Sequence, residues 1–214
     1  MEKPISNIGA VLLAAGEGSR MGSVPKCLLS LEGVQLLHRH LQAMRDAGVA
    51  RVVVVTGYHH EQIEPAIGNA PVTIVRNPQP ERGQQSSVRL GIEALGSGFE
   101  LVIVALADQP LVGSAELDEL INAFAHRPAA TQVVYPQVRG QRGNPVLFDG
   151  ELIARWLASE QRPPLRKFID EHPQQVHVHE TDNERFIVDL DTLGDIAAFE
   201  QRSGIKLVMP EAAR

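Results

Sequence analysis

A single cysteine, Cys27, in a chain of 214 residues rules out an internal disulfide and suits a reducing compartment. No apolar run approaches the roughly 18 residues that a membrane span requires. An excess of basic charge is missing too. The 20 Lys and Arg against 26 Asp and Glu leave a net charge of -6, which argues against a protein built to grip nucleic acid. An anionic small molecule stays compatible, because a local cluster of cations and amides can oppose the global sign. There are no repeats, low-complexity tracts or obvious interdomain linkers, so residues 1–214 are expected to form one domain. The opening "MEKPISNIGAVLLAAG" superficially resembles a secretion leader. The "GEGSRMG" that follows has a structural meaning of its own, so a cytoplasmic chain is expected.

What is present is alternation. "IGAVLLAA" (8–15), "RVVVVTG" (51–57), "VTIVRN" (72–77) and "ELVIVALAD" (100–108) read as short buried strands. Between them, 34–48, 84–95 and 114–125 read as helices, the last capped by Ser114 with Glu116 in its first turn. This rhythm predicts an α/β fold: three layers, a Rossmann-like mixed and mostly parallel sheet with helices on both faces. After about residue 130 the segments 131–138, 144–148, 175–180 and 185–191 read as shorter strands, with helices at 161–173 and 191–204, the latter capped by Thr192. Antiparallel additions and a small subdomain are expected there.

The stretch "LLAAGEGSRMGSVPK" (12–26) breaks from a strand into glycines. The dinucleotide fingerprint fails, since Met21 stands where its third glycine belongs and the strand end "VTGYHH" holds no acid. The P-loop fails because no lysine follows a correctly spaced glycine. What fits is L-A-A-G-x-G-x-R-M-G-x-x-x-K, complete from Leu13 to Lys26. Ala14, Ala15 and Gly16 are small enough for a base or ribose to lie against the backbone. Gly16 and Gly18 are expected to adopt φ values closed to other residues and to turn amides toward phosphate oxygens. Arg20 and Lys26 add a planar fork and a point charge within reach of a triphosphate.

Asp108 ends a wholly apolar run, which places an acid at the carboxyl end of a central strand, where open α/β sheets bind ligands. It reads as a ligand for Mg²⁺, which prefers oxygen donors, or as an ordinary turn or cap residue. Asp189 and Asp191 in "VDLDT" alternate, so only one can face the same site. Gly83, Gln84, Ser86 and Ser87 open a helix suited to anions and polar base edges. His177 with His179, and His59 beside His60, lack a third ligand at motif spacing, so solvent-facing histidines are expected rather than a zinc site. No G-x-S-x-G elbow appears. Cys27, beside Lys26, reads as a packed small residue, with a reactive thiol as the alternative.

With "GQQSSVRLGI" (83–92), "ALADQP" (105–110) and "RGNPVLF" (142–148) added to the loop, the chain resembles, over about residues 7–203, the nucleotidyltransferases that attach a nucleotide to the molybdenum cofactor. The resemblance implies a glycosyltransferase-A-like fold, with nucleotide binding over about 7–130 and acceptor binding over about 131–203. It implies that Leu13, Ala14, Ala15, Gly16, Gly18, Arg20, Lys26, Gly83, Gln84, Ser86, Ser87 and Asp108 bind the nucleotide. Arg20, Lys26 and Asp108 would be catalytic. Asp108 and Asp191 would hold Mg²⁺, with Mn²⁺ able to replace it, and Arg142, Gly143 and Asn144 would line the acceptor side. "LAAG" with "DQP" matches the cytidylyltransferase branch, which implies CTP and molybdopterin as substrates and a molybdoenzyme or its chaperone as partner. The chain departs from that pattern in three places: Asn144 replaces a histidine, "DTLGD" replaces D-T-P-E-D, and "QRPPLRKFID" replaces a G-D-x-G-x-R segment. Two alternatives stay open. One is a nucleotidyltransferase using GTP or another triphosphate with a sugar phosphate or other phosphorylated acceptor. The other is a nucleotide-binding regulatory module without catalysis.

Overall fold

The computed structural model describes residues 5–210. Its strands are β1 (Ile8–Ala14), β2 (Ser30–Leu31), β3 (Val34–Gln35), β4 (Val49–Thr56), β5 (Thr73–Arg76), β6 (Leu101–Leu106), β7 (Val133–Val138), β8 (Gln141–Arg142), β9 (Val146–Asp149), β10 (Val176–Glu180) and β11 (Leu207–Val208). Its helices are α1 (Leu36–Asp46), α2 (His60–Ile67), α3 (Gln84–Leu95), α4 (Ser114–Ala125), α5 (Gly150–Ala158), α6 (Leu165–Glu171) and α7 (Leu193–Ser203).

β1 is the spine. Every residue in it is buried, because it lies between β4 and β6, both parallel to it, and is covered on both faces. Side chains alternate across a strand, so Ala10, Leu12 and Ala14 enter one core while Val11, Leu13 and Ala15 enter the other. The first core is closed by α1, α2 and α4, through Leu37, Ile63 and Leu120 among others. The second is closed by α3, α5 and α6, through Ile92, Trp156 and Ile169. The main sheet runs β10-β7-β9-β6-β1-β4-β5, with β8 paired to β7. β9 is antiparallel to both β6 and β7, whereas β10 is parallel to β7, so the later half of the chain contributes a mixed edge. The α/β, mostly parallel three-layer architecture expected from the alternation is what forms.

Several local expectations need correction. The small satellite is not built from residues beyond 130 alone. β11 pairs with β2, which pairs with β3, so residues 30–35 and 207–208 share one sheet over a third core of Met21, Leu36, Leu190 and Phe199. Val34 and Gln35 belong to that sheet, and α1 starts after them. α4 is capped by Gly113, not Ser114, because the Glu116 carboxylate reaches back to accept from the Gly113 N–H at 2.9 Å. Residues 184–187 form a 3-10 turn rather than a strand: the Asn183 side chain accepts from the Arg185 N–H, and the fully buried Phe186 anchors the turn. α2 and α5 went unread in the sequence. The cap expected of Thr192 is present, in a reciprocal box with Asp195. Among the described residues no helix is long and apolar enough to cross a membrane.

His40, on the inner face of α1, is buried and bonds the Gln109 backbone just past β6. Burial drives its pKa down to about 4; the Gln109 bond opposes that and the Arg39 charge adds to it. The folded chain therefore binds fewer protons than the unfolded chain between the ordinary histidine value of 6.5 and about 4, and stability falls as pH drops through that window. His40 alone is expected to remove about 3 kcal/mol between pH 7 and pH 4. Urea denaturation across that range checks this, and His40→Gln should flatten the slope; an unchanged slope places the titrating group elsewhere.

Candidate active site

Where β1 ends, the chain leaves the sheet and winds through two short 3-10 turns, Ser19–Met21 and Lys26–Leu28. The buried Met21 anchors the first turn and the buried Cys27 and Leu28 anchor the second, which leaves Arg20 exposed and turns Lys26 toward the carboxyl end of the sheet. Gly18 has φ +64, and a β-carbon on it would meet the Val24 carbonyl oxygen at 2.2 Å. Its freedom is required twice, by conformation and by space. Gly16 differs from expectation: its φ is not positive, and a β-carbon there would meet open space. Its smallness matters because it lines the cleft.

The cleft has a volume of about 350 Å³ and is walled by residues 13–20 of the loop, by Lys26, by Gly83, Gln84 and Ser87 at the start of α3, and by Asp108 and Asp191. The Gly18 and Ser19 carbonyls accept bonds within the loop, and the Glu17 carbonyl accepts from His59 Nε2 at 2.7 Å. By contrast, among the described residues the N–H groups of Gly16, Glu17, Gly18, Ser19 and Arg20 donate to no protein acceptor. Five consecutive free amides beside an arginine and a lysine form an anion cradle.

The Lys26 ammonium donates to Asp191 Oδ1 at 2.6 Å and to Asp108 Oδ2 at 3.3 Å, while Arg20 Nη2 donates to Asp191 Oδ2 at 2.6 Å. Burial pushes the Asp108 carboxyl above the usual range, with the Asp191 charge adding to it and Lys26 opposing it. At Asp191 burial acts upward too, but Lys26 and Arg20 outweigh it and hold the carboxyl low. Asp189 lies outside the cleft lining and bonds neither cation; burial, then the Asp191 and Asp108 charges, push it up. Asp191 is presented by the capping box of α7, since the Asp195 carboxylate accepts from both the Asp191 and Thr192 amides. The box forms without the proline and glutamate of the relatives' pattern. Cys27 is buried and its thiol is pushed up to about 12, by burial first and the Asp108 charge second, so it is a packing residue.

The two carboxylates offer oxygen donors that suit a small hard cation completing its shell with water and phosphate oxygens. Among the described residues no group of three or more His, Cys, Asp or Glu could hold a metal, so any such ion depends on its substrate for ligands. Arg20 and Lys26 occupy the same carboxylate oxygens and would compete for them.

Not every expected residue joins this cleft. Ser86 is drawn away: its hydroxyl donates to the Gly83 carbonyl and accepts from Asn77 Nδ2 at 2.8 Å, which ties the end of β5 to α3. Arg142, Gly143 and Asn144 line an adjoining cleft of about 200 Å³ that shares Leu13, Gln84 and Leu106 with the first. Tyr58 and Pro80, which line the first cleft, were not singled out in the sequence, and no motif marked them. His59 holds the loop and His179 pairs with Glu119 at 2.8 Å, so neither is a free surface histidine.

Sheet order, glycine loop and acids at the carboxyl ends of strands define an α/β protein of the nucleotidyltransferase fold. The structure overlays on a Methanothermobacter nucleotidyl transferase with a TM-score of 0.72 at 27% identity, over 91% of this chain and 96% of that one. The chain belongs to the MobA-like NTP transferase domain family, matched over residues 10–176. Bifunctional protein GlmU of Streptomyces griseus is 34% identical over 142 residues, covering 64% of this chain; the match spans only 29% of that longer protein. Nicotine blue oxidoreductase of Paenarthrobacter nicotinovorans is 29% identical over 195 residues, covering 87% of this chain and 93% of that protein.

Gly18→Ala tests the loop. The clash with the Val24 carbonyl and the positive φ are expected to cost about 1–3 kcal/mol and to weaken triphosphate binding. Thermal melting with and without CTP reads both effects; an undiminished nucleotide shift in a fully folded variant would show that the loop geometry is not needed.

Proposed function

We propose that the protein is a nucleotidyltransferase that, with Mg²⁺ or Mn²⁺, transfers CMP from CTP to the phosphate of molybdopterin and releases pyrophosphate. The observation that carries the transferase reading is the convergence of Arg20, Lys26 and five free amides on the same cleft as two carboxylates. Cations and amides alone would describe a phosphate holder. Acids placed among them give the site a means to handle a metal–triphosphate complex.

An oxygen of the acceptor phosphate attacks the α-phosphorus, the bond to the β-phosphate oxygen breaks, and pyrophosphate leaves. A phosphate monoester is already largely ionised at pH 7, its second pKa being about 6, so no general base is required. Catalysis is then positioning and charge neutralisation. Ala14, Ala15 and Gly16 let the nucleoside lie on the backbone, the loop amides hold its phosphates, and Arg20 and Lys26 oppose charge building on the leaving group. Asp108 and Asp191 would hold the divalent cation, whose chemistry is to polarise and neutralise the phosphates. Arg142, Gly143 and Asn144 would receive the acceptor, and the product would pass to a molybdoenzyme or its chaperone.

The choice of CTP rests on Ala14, Ala15 and "DQP", and the choice of molybdopterin on the family resemblance. A hydride-transfer reading, which the name of the nicotine blue relative raises, is disfavoured by the absent third glycine of the dinucleotide fingerprint and by the lack of an acid at the end of β4, in "VTGYHH". Pure protein with Mg²⁺, CTP or GTP, and molybdopterin is expected to release pyrophosphate with CTP only. Release with GTP or with a sugar phosphate selects the alternative transferase, and nucleotide binding without release selects the regulatory module. Asp108→Ala is expected to lower turnover at least about 100-fold, and an active variant would remove that acid from the mechanism.

A further inference from the structure

The second cleft holds an arginine, Arg142, whose N–H edge meets no acceptor among the described residues and whose charge is opposed only at a distance, by Asp170 and Tyr135. Arg142 is partly buried, and its guanidinium carbon lies 4.2 Å from the centre of the Tyr135 ring. Stacking uses the face of the group and leaves its N–H edge available. Among the described residues no carboxylate or carbonyl accepts from that edge. Arg166 lies across the same cleft and is paired to Asp170 at 3.2 and 3.3 Å. The two guanidinium groups are close enough to feel one another: burial first, then the Arg166 charge, lower the Arg142 pKa. The cleft thus carries two cations against one carboxylate.

The walls raise the cost of that imbalance. Val88, Val104, Val146 and Phe148 line the cleft, so water screens the charge poorly there. Gln85 faces the same space with a buried side-chain oxygen that has no hydrogen-bond partner. A partly buried charge that shares its one carboxylate, Asp170, with Arg166 and a buried acceptor without a donor are both unfavourable, and both are relieved by one kind of ligand. The cleft adjoins the triphosphate cleft through Leu13, Gln84 and Leu106, so one acceptor molecule can occupy both.

We propose that the acceptor carries a second anionic group, distinct from its reacting phosphate, and that this cleft binds it between Arg142 and Arg166, with Gln85 accepting from a neighbouring N–H or O–H. A planar carboxylate or a phosphate matches the fork of a guanidinium edge. The inference deepens the proposed function and rests on reading this cleft as the acceptor side. With molybdopterin, whose one phosphate is the reacting group, the second anion would be its dithiolate, and with the alternative acceptors a carboxylate or phosphate.

Isothermal titration of the full chain in Mg²⁺ buffer compares 3-phosphoglycerate with glycerol 3-phosphate, which differ by a carboxylate in place of a hydroxymethyl group. The expected result is about tenfold tighter binding of 3-phosphoglycerate, with the preference abolished in both Arg142→Gln and Arg166→Gln. CTP-dependent melting of each protein, run in parallel, reports that the variants are folded. Equal binding of the two probes, binding of neither, or a preference that survives both substitutions overturns the proposal. A preference for 3-phosphoglycerate without any CTP-dependent shift in the unsubstituted protein would instead remove the nucleotidyltransferase reading and leave the anion cleft standing.

Discussion

The Lys26 ammonium lies between two carboxylates that the chain brings from its middle and from near its carboxyl end, and the arrangement of the cleft depends on it. Asp108 arrives at the end of β6 and Asp191 at the entry to α7. Without Lys26 the two acids, with Asp189 nearby, would face one another in a partly desolvated space and repel. Part-buried ion pairs add little net stability once desolvation is counted, so their value here is positional. Each member has its own scaffold: Cys27 and Leu28 pack beneath Lys26, the capping box of α7 presents Asp191, and β6 delivers Asp108.

A second constraint couples this centre to the acceptor side. The buried Phe186 offers its carbonyl to two donors, the Asn144 amide at 3.0 Å and Gln109 Nε2 at 3.0 Å. Gln109 is the neighbour of Asp108, and Asn144 belongs to the adjoining cleft. One carbonyl therefore fastens the residue next to an acid to the strip that lines the second cleft. Gly143 makes the approach feasible, since a β-carbon there would lie 2.6 Å from the same carbonyl oxygen. The "DQP" and "RGN" motifs, 30-odd residues apart in the chain, meet at this point.

Much of the fold was legible because buried parallel strands carry continuous apolar runs: β1 and β6 fall within the segments read for them, and β4 starts two residues before its own. The loop was legible because Arg20 and Lys26 stand in register with its glycines. Ser86 was misread because a helix-opening serine looks alike whether it faces a ligand or, as here, the Asn77 side chain. Gly16 was credited with backbone freedom that only Gly18 and Gly22 use, since φ is not written in a residue's identity when small size alone also calls for glycine. Residues 185–191 read as a strand, yet packing of Phe186 and the Asn183 cap turn residues 184–187 into a 3-10 turn, and 188–191 pair with no strand. Arg166 and Gln85 carried no signal, because one is a helix-surface charge and the other a helix-opening amide until the fold places them in one cavity.

By itself the sequence determined the α/β class, the anion-seeking loop from Leu13 to Lys26, and an acid at the end of an apolar strand. These are local properties: periodicity, glycine spacing and the chemistry of side chains near one another in the chain. Tertiary structure decided that Lys26 pairs with both Asp191 and Asp108, that the carboxyl-terminal strand joins residues 30–35, and that the Arg142 N–H edge meets no acceptor among the described residues. Those outcomes turn on which distant groups share a desolvated space, and burial is what makes a charge or a lone acceptor consequential.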